Sequence, residues 1–164
     1  MGSGSGSYSG TSGGSQNYSQ YYHVEKKMHQ DDIDNGTFHN GKYDLNPTAK
    51  KLEEMVNGNY IGSKTMNDDS LTYVIDQHGN IIVGKRNGNG RSGLPTPHPT
   101  LIGGKDPIVQ MAGMLKIRGG KIYSYDDRSG HFKPNSKSME VADEVFGKLP
   151  KQLFHKDFTR RNKR

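Results

Sequence analysis

The chain has no cysteine and no tryptophan, only 5 phenylalanines among its 164 residues, and 29% hydrophobic residues in all. Without cysteine there is no disulfide framework, no Cys-ligated zinc finger, no zinc-dependent nucleobase deaminase and no cysteine nucleophile. Long apolar runs are missing as well: nothing approaches the roughly 18 consecutive apolar residues of a membrane span. Residues 1–30 lack a basic segment followed by an apolar one, so neither a membrane span nor a secretory signal is expected. Formal charge is absent from residues 1–24.

What charge there is lies unevenly. The net +6 divides into −4 over residues 25–76, +6 over 77–135, −1 over 136–150 and +5 over 151–164. Two basic regions point to an anionic partner, and nucleic acid is the first such partner to consider. Residues 1–22 are nearly all Gly, Ser, Tyr, Asn, Gln and Thr and cannot bury enough surface to offset their ordering entropy, so they read as a flexible linker. A polar lead-in over 23–45, a catalytic domain over 46–150 and a solvated basic tail over 151–164 complete the expected organisation.

Within the domain, Asn46 as cap, Pro47 at the first position and the stripe Ala49, Leu52, Met55, Val56 predict a helix over about 47–57. Leu71–Asp76 and Ile81–Lys85 predict a hairpin turning through His78-Gly79-Asn80, and Asn87–Pro99 reads as loop. Residues 113–118 and 121–125 flank Gly119-Gly120, the composition of a type I′ hairpin. That turn places Ile117 opposite Ile122, Leu115 opposite Ser124, Arg118 opposite Lys121, Lys116 opposite Tyr123 and Met114 opposite Tyr125. A final helix is expected from Asn135 or Ser136 to about Leu149, with Met139, Ala142, Val145, Phe146 and Leu149 inward. The pattern predicts an α+β fold, a small antiparallel sheet of two hairpins with flanking helices.

Two passages carry candidate chemistry. In Pro95-Thr96-Pro97-His98-Pro99-Thr100, three alternating prolines stiffen the backbone and aim His98 and Thr100, although a proline-rich turn with a solvated histidine would read the same. In Asp126-Asp127-Arg128-Ser129-Gly130-His131-Phe132-Lys133-Pro134, His131 and Lys133 would point the same way if the segment is extended. The plainer alternative has His131 bonded to Asp126 or Asp127. Together, His98, His131 and Lys133 are the parts for metal-independent cleavage of RNA. One imidazole takes the 2′-hydroxyl proton, the other protonates the departing 5′-oxygen, and an ammonium steadies the charged phosphorane. Thr100, Ser129 or Arg128 could hold the phosphate, and Tyr123 and Tyr125 with Lys116 could stack against and track a single strand. No cofactor is expected. Gly103-Gly104-Lys105 lacks the phosphate-loop pattern, and His23, His29 and His39 read as bystanders.

The polar linker followed by a compact basic domain resembles the C-terminal toxin regions of bacterial polymorphic toxins of the rearrangement-hotspot repeat type. The stretch from His98-Pro99-Thr100-Leu101 through Ala112-Gly113 to Ser129-Gly130-His131-Phe132-Lys133-Pro134 also resembles a module of plant IQ-motif calmodulin-binding proteins, although an IQ motif itself is missing here. The toxin resemblance implies a delivered effector acting in the cytoplasm of a target cell, an upstream delivery polypeptide, a cognate immunity protein and no membrane partner. Within that class the residues favour ribonuclease action on RNA. One alternative is an ADP-ribosyltransferase using NAD at His98-Pro99-Thr100, with Tyr123 or Phe132 on the nicotinamide and only Glu140 and Glu144 as acidic candidates. Another is a non-catalytic RNA- or protein-binding module.

Overall fold

The computed structural model describes residues 20–88 and 95–160. Most of the expected linker, residues 89–94 of the glycine-rich loop and residues 161–164 of the expected tail lie outside them. In chain order the elements are α1 (His29–Asp34), β1 (Phe38–His39), β2 (Lys42–Tyr43), β3 (Lys50–Lys51), β4 (Val56–Asn57), β5 (Tyr60–Ile61), β6 (Asp68–Asp76), β7 (Ile81–Lys85), β8 (Val109–Arg118), β9 (Lys121–Tyr125), α2 (Met139–Phe146) and β10 (Phe154–Arg160). The main sheet has six strands in the order β10-β9-β8-β6-β7-β3. All pairs are antiparallel except β10 on β9, which is parallel. The α+β class is as expected, while the sheet is larger and mixed rather than two antiparallel hairpins alone.

Alternation along the central strands makes two cores. Leu71, Tyr73 and Ile75 of β6 and Met111, Leu115 and Ile117 of β8 pack with Met139, Ala142 and Phe146 of α2. On the other side Val74 and Ala112 meet Tyr22, Val24, Tyr43, Leu101 and Phe132. The expected lead-in is therefore part of the fold. Tyr22 bridges to Val109, and its hydroxyl lies 2.7 Å from Ser138 Oγ and accepts the Asn135 N–H.

Both expected hairpins form. In the first, Gly79 has φ +88 and Asp76 Oδ1 accepts the N–H groups of His78 and Asn80. In the second, Gly119 and Gly120 have φ +59 and +71, the pair of left-handed residues that a type I′ turn requires. Arg118–Lys121 and Ile117–Ile122 pair as predicted, but a bulge at Tyr123 then sets Lys116 opposite Ser124 and Leu115 opposite Tyr125. The shift turns Tyr125 into the core, where it stacks on Phe146 with ring centroids 4.1 Å apart and donates to Asp143 Oδ1 at 2.7 Å.

Two expectations fail for tertiary reasons. No α-helix forms over 47–57, although Asn46 Oδ1 accepts the Thr48 N–H as a cap would; its amide donates to Lys85 O and Thr96 Oγ1, tying the segment to the sheet. Lys50 and Lys51 then pair with β7 as an edge strand, a 3₁₀ turn over Leu52–Met55 buries Leu52, and β4 and β5 close a small hairpin. Pairing and burial outweigh local helix propensity here. Nor is 151–160 a solvated tail: Leu153 is buried, Phe154 and Phe158 pack on the first core, and β10 lines the sheet edge. The last helix starts as predicted, Asn135 Oδ1 accepting the Lys137 N–H, but its α-helical part ends at Phe146 rather than near Leu149.

Candidate active site

His98 opens a 3₁₀ turn, His98–Leu101, that follows the extended Pro97, instead of lying in an open loop. The ring is 7% exposed, and Nε2 lies 2.8 Å from the carbonyl oxygen of Gly113 on β8. A carbonyl only accepts, so Nε2 carries the hydrogen and the neutral ring keeps a lone pair on Nδ1. Burial is the main cause that pushes the His98 pKa down to about 4; the bond to Gly113 opposes the shift, and the neighbouring His131 and Arg86 add to it.

His131 arrives on the loop that follows β9. That loop passes hard against Gly113, where an added Cβ would sit 1.9 Å from the carbonyl oxygen of Asp126. Tyr73 donates to the same oxygen at 2.6 Å. The Asp126 side chain pins the start of the loop: Oδ1 accepts the backbone N–H groups of Met114 and Arg128, and Oδ2 accepts Arg128 Nε at 2.8 Å. Farther on, the His131 carbonyl accepts the Glu25 N–H at 2.7 Å. The His131 ring donates from Nε2 to Asp32 Oδ1 at 2.9 Å, and Asp32 Oδ2 accepts from the Tyr43 hydroxyl. Asp32, on α1 and 3% exposed, is thus the partner, rather than Asp126 or Asp127. It stands 99 residues before His131, and the acidic run Asp31-Asp32 in a polar stretch gave no sign of the pairing. A carboxylate so placed fixes the ring's orientation and offsets its charge when it carries two protons.

His98 and His131 line one cavity of about 630 Å³. Its sheet-side lining is Thr72 of β6 with Met114 and Lys116 of β8, and Arg86, Arg128 and Ser129 also line it. Of the residues expected at a site, His98, His131, Lys116, Arg128 and Ser129 come together. Arg86, just after β7, was missed by the sequence reading, although it belongs to the central basic block.

Four expected residues stand apart from that lining. Thr100 donates to Pro97 O at 2.6 Å and lines a different cavity, with Asn46 and Thr96. Lys133 does not run parallel to His131, because residues 129–133 form a turn rather than an extended segment: the Lys133 N–H bonds Ser129 O and its φ is +45. Tyr125 is in the core. Tyr123 lies under the guanidinium of Arg118, 4.9 Å from ring centroid to Cζ, and packs T-shaped with His155. The bystander histidines pair locally, His23 with Asp106 and His39 with Asp44, while His29 stacks on Phe38. Among the described residues no three His, Asp or Glu side chains converge as a metal site.

The buried His98 makes stability depend on pH. Between pH 6.5 and about 4 the unfolded ring binds a proton that the folded ring refuses, so stability is complete above pH 6.5 and falls as the pH drops. The loss amounts to roughly 3 kcal/mol by pH 4. Urea midpoints measured from pH 7 to pH 4 should fall more steeply for the parent than for His98→Gln; parallel slopes would contradict the assignment.

No family model, curated protein or solved structure matches this chain, so the arrangement of His98, His131 and the cations around them is what speaks for its chemistry.

Proposed function

We propose that this chain is a metal-independent ribonuclease, with His98 as general base and His131 as general acid. The observation that carries the reading is that both imidazoles, 33 residues apart in sequence, line one cavity with Arg86, Lys116 and Arg128. His98, neutral at pH 7 and holding its lone pair on Nδ1, accepts the proton of a ribose 2′-hydroxyl. The 2′-oxygen then attacks phosphorus. His131, doubly protonated and steadied by Asp32, donates from Nδ1 to the leaving 5′-oxygen as the P–O5′ bond breaks. The products are a 2′,3′-cyclic phosphate and a 5′-hydroxyl. Arg128, with Nε on Asp126, keeps its terminal nitrogens for the phosphate oxygens, and Arg86 and Lys116 add positive charge where the phosphorane forms. These cations take the role first given to Lys133.

The polar linker and basic domain support the further reading that the domain is a delivered antibacterial effector with an immunity partner. No helix in the described residues is long and apolar enough to cross a membrane. Nothing favours the transferase alternative: Glu140, Glu144, Tyr123 and Phe132 do not line the cavity, and Phe132 is 1% exposed in the second core. The test is to incubate the purified chain with total bacterial RNA in excess EDTA and to identify the fragment ends. Cyclic phosphates are the expected result. Intact RNA, or 3′-hydroxyl ends, would overturn the proposal.

A further inference from the structure

The face of β8 that lines the cavity continues past Lys116. Met114, Lys116 and Arg118 alternate along one face of β8, about 7 Å between every second residue, and all three are only half-buried. Asp69, which lines the cavity, accepts Arg118 Nε and a terminal nitrogen at 3.0 and 2.9 Å. The Arg118 Cζ also lies over the Tyr123 ring, 4.9 Å from the centroid. The Tyr123 ring in turn packs T-shaped with His155 of β10, with centroids 5.1 Å apart. Cation and aromatic groups thus continue from the cavity rim toward the sheet edge. The bulge at Tyr123 leaves it without a register partner on β8.

We propose that Lys116, Arg118 and Tyr123 form a track for the nucleotides that flank the one held in the cavity, so that the ligand is a single-stranded polynucleotide rather than a nucleotide or a duplex. The inference rests on the ribonuclease reading for the occupant of the cavity itself. Lys116 meets the backbone next to the scissile phosphate, and an unstacked base lies against the Arg118–Tyr123 platform. Stacking of this kind accepts any base, because every base has a π-face. A duplex keeps its bases paired and offers the platform no such face.

The test uses fluorescent 2′-deoxy oligonucleotides, which lack the attacking hydroxyl and are not cleaved, with binding followed by anisotropy. Affinity should rise about tenfold from a dinucleotide to an octanucleotide, and most of that gain should vanish in Tyr123→Leu and in Arg118→Ala. Tyr123→Leu keeps apolar bulk beside His155, and thermal midpoints for both variants exclude unfolding as the cause. A gain with length that survives both substitutions would overturn the track, as would equal binding of single strand and duplex, or no gain with length. If deoxy oligomers bind as expected while RNA stays intact in EDTA, the track stands and the ribonuclease reading alone fails.

Discussion

Alanine at either His98 or His131 should lower RNA cleavage by about a hundredfold to ten-thousandfold, with the loss in kcat rather than in KM. The two substitutions should differ in what repairs them. If His131 supplies the proton to the leaving oxygen, a substrate whose 5′-oxygen is replaced by a good aryl leaving group needs no acid. His131→Ala should then recover most of its lost rate on that substrate, and His98→Ala should not. The reverse pattern would exchange the roles, and recovery by neither would remove His131 from acid catalysis. The double variant should be little worse than the weaker single one, since residues acting as one unit are not additive. The acid side of the pH profile should track His98: the base is lost as its ring takes a proton near pH 4. Asp32→Ala should lower kcat in the same direction as His131→Ala but by less, because it loosens the ring instead of removing it.

Gly113→Ala should be severely damaging. The new methyl would sit 1.9 Å from the Asp126 carbonyl oxygen and 2.6 Å from its carbon, both backbone atoms that cannot rotate away. Overpacking of this kind costs about 1–3 kcal/mol and occasionally more, and here the displaced oxygen would also lose the Tyr73 hydroxyl. The site should suffer beyond the loss of stability. Gly113 holds His98 through its carbonyl, and its bare α-carbon lets the loop bearing His131 pass. Urea denaturation would show the first effect. Cleavage measured under conditions where the variant is fully folded would show the second; a folded Gly113→Ala of parental stability and activity would contradict both.

Local chemistry explains which parts of this molecule could be read from sequence. Gly119-Gly120 between alternating residues allows little but a type I′ hairpin, and Asn135 before an amphipathic stripe starts a helix as the pattern says. His98 among prolines and His131 after Ser129-Gly130 were visible as chemistry. Their meeting was not, because it depends on a loop crossing at Gly113. Asp32 was invisible for a related reason: a carboxylate in a polar stretch looks solvated until a distant histidine and Tyr43 close over it. Asn46 shows the opposite hazard, a capping residue that bonds Thr48 as a cap does while its amide ties it to Lys85 and Thr96, and no α-helix follows. The parallel pairing of β10 on β9 leaves no local mark at all. In a run as basic as 151–164, only Leu153, Phe154 and Phe158 hinted at burial.

If the ribonuclease reading holds, the order in which the ribosome delivers these groups matters to the cell that makes the chain. Asp32 emerges early and His131 late, and closing so long a loop costs entropy that only the finished sheet repays. Tyr22 waits longer still, for Asn135 and Ser138. A nascent chain stalled or cleaved before residue 131 therefore carries only His98 of the two site histidines. On the ribonuclease reading, topology alone would then keep the site incomplete during translation, and an inhibitor would be needed only after residue 131 has been made.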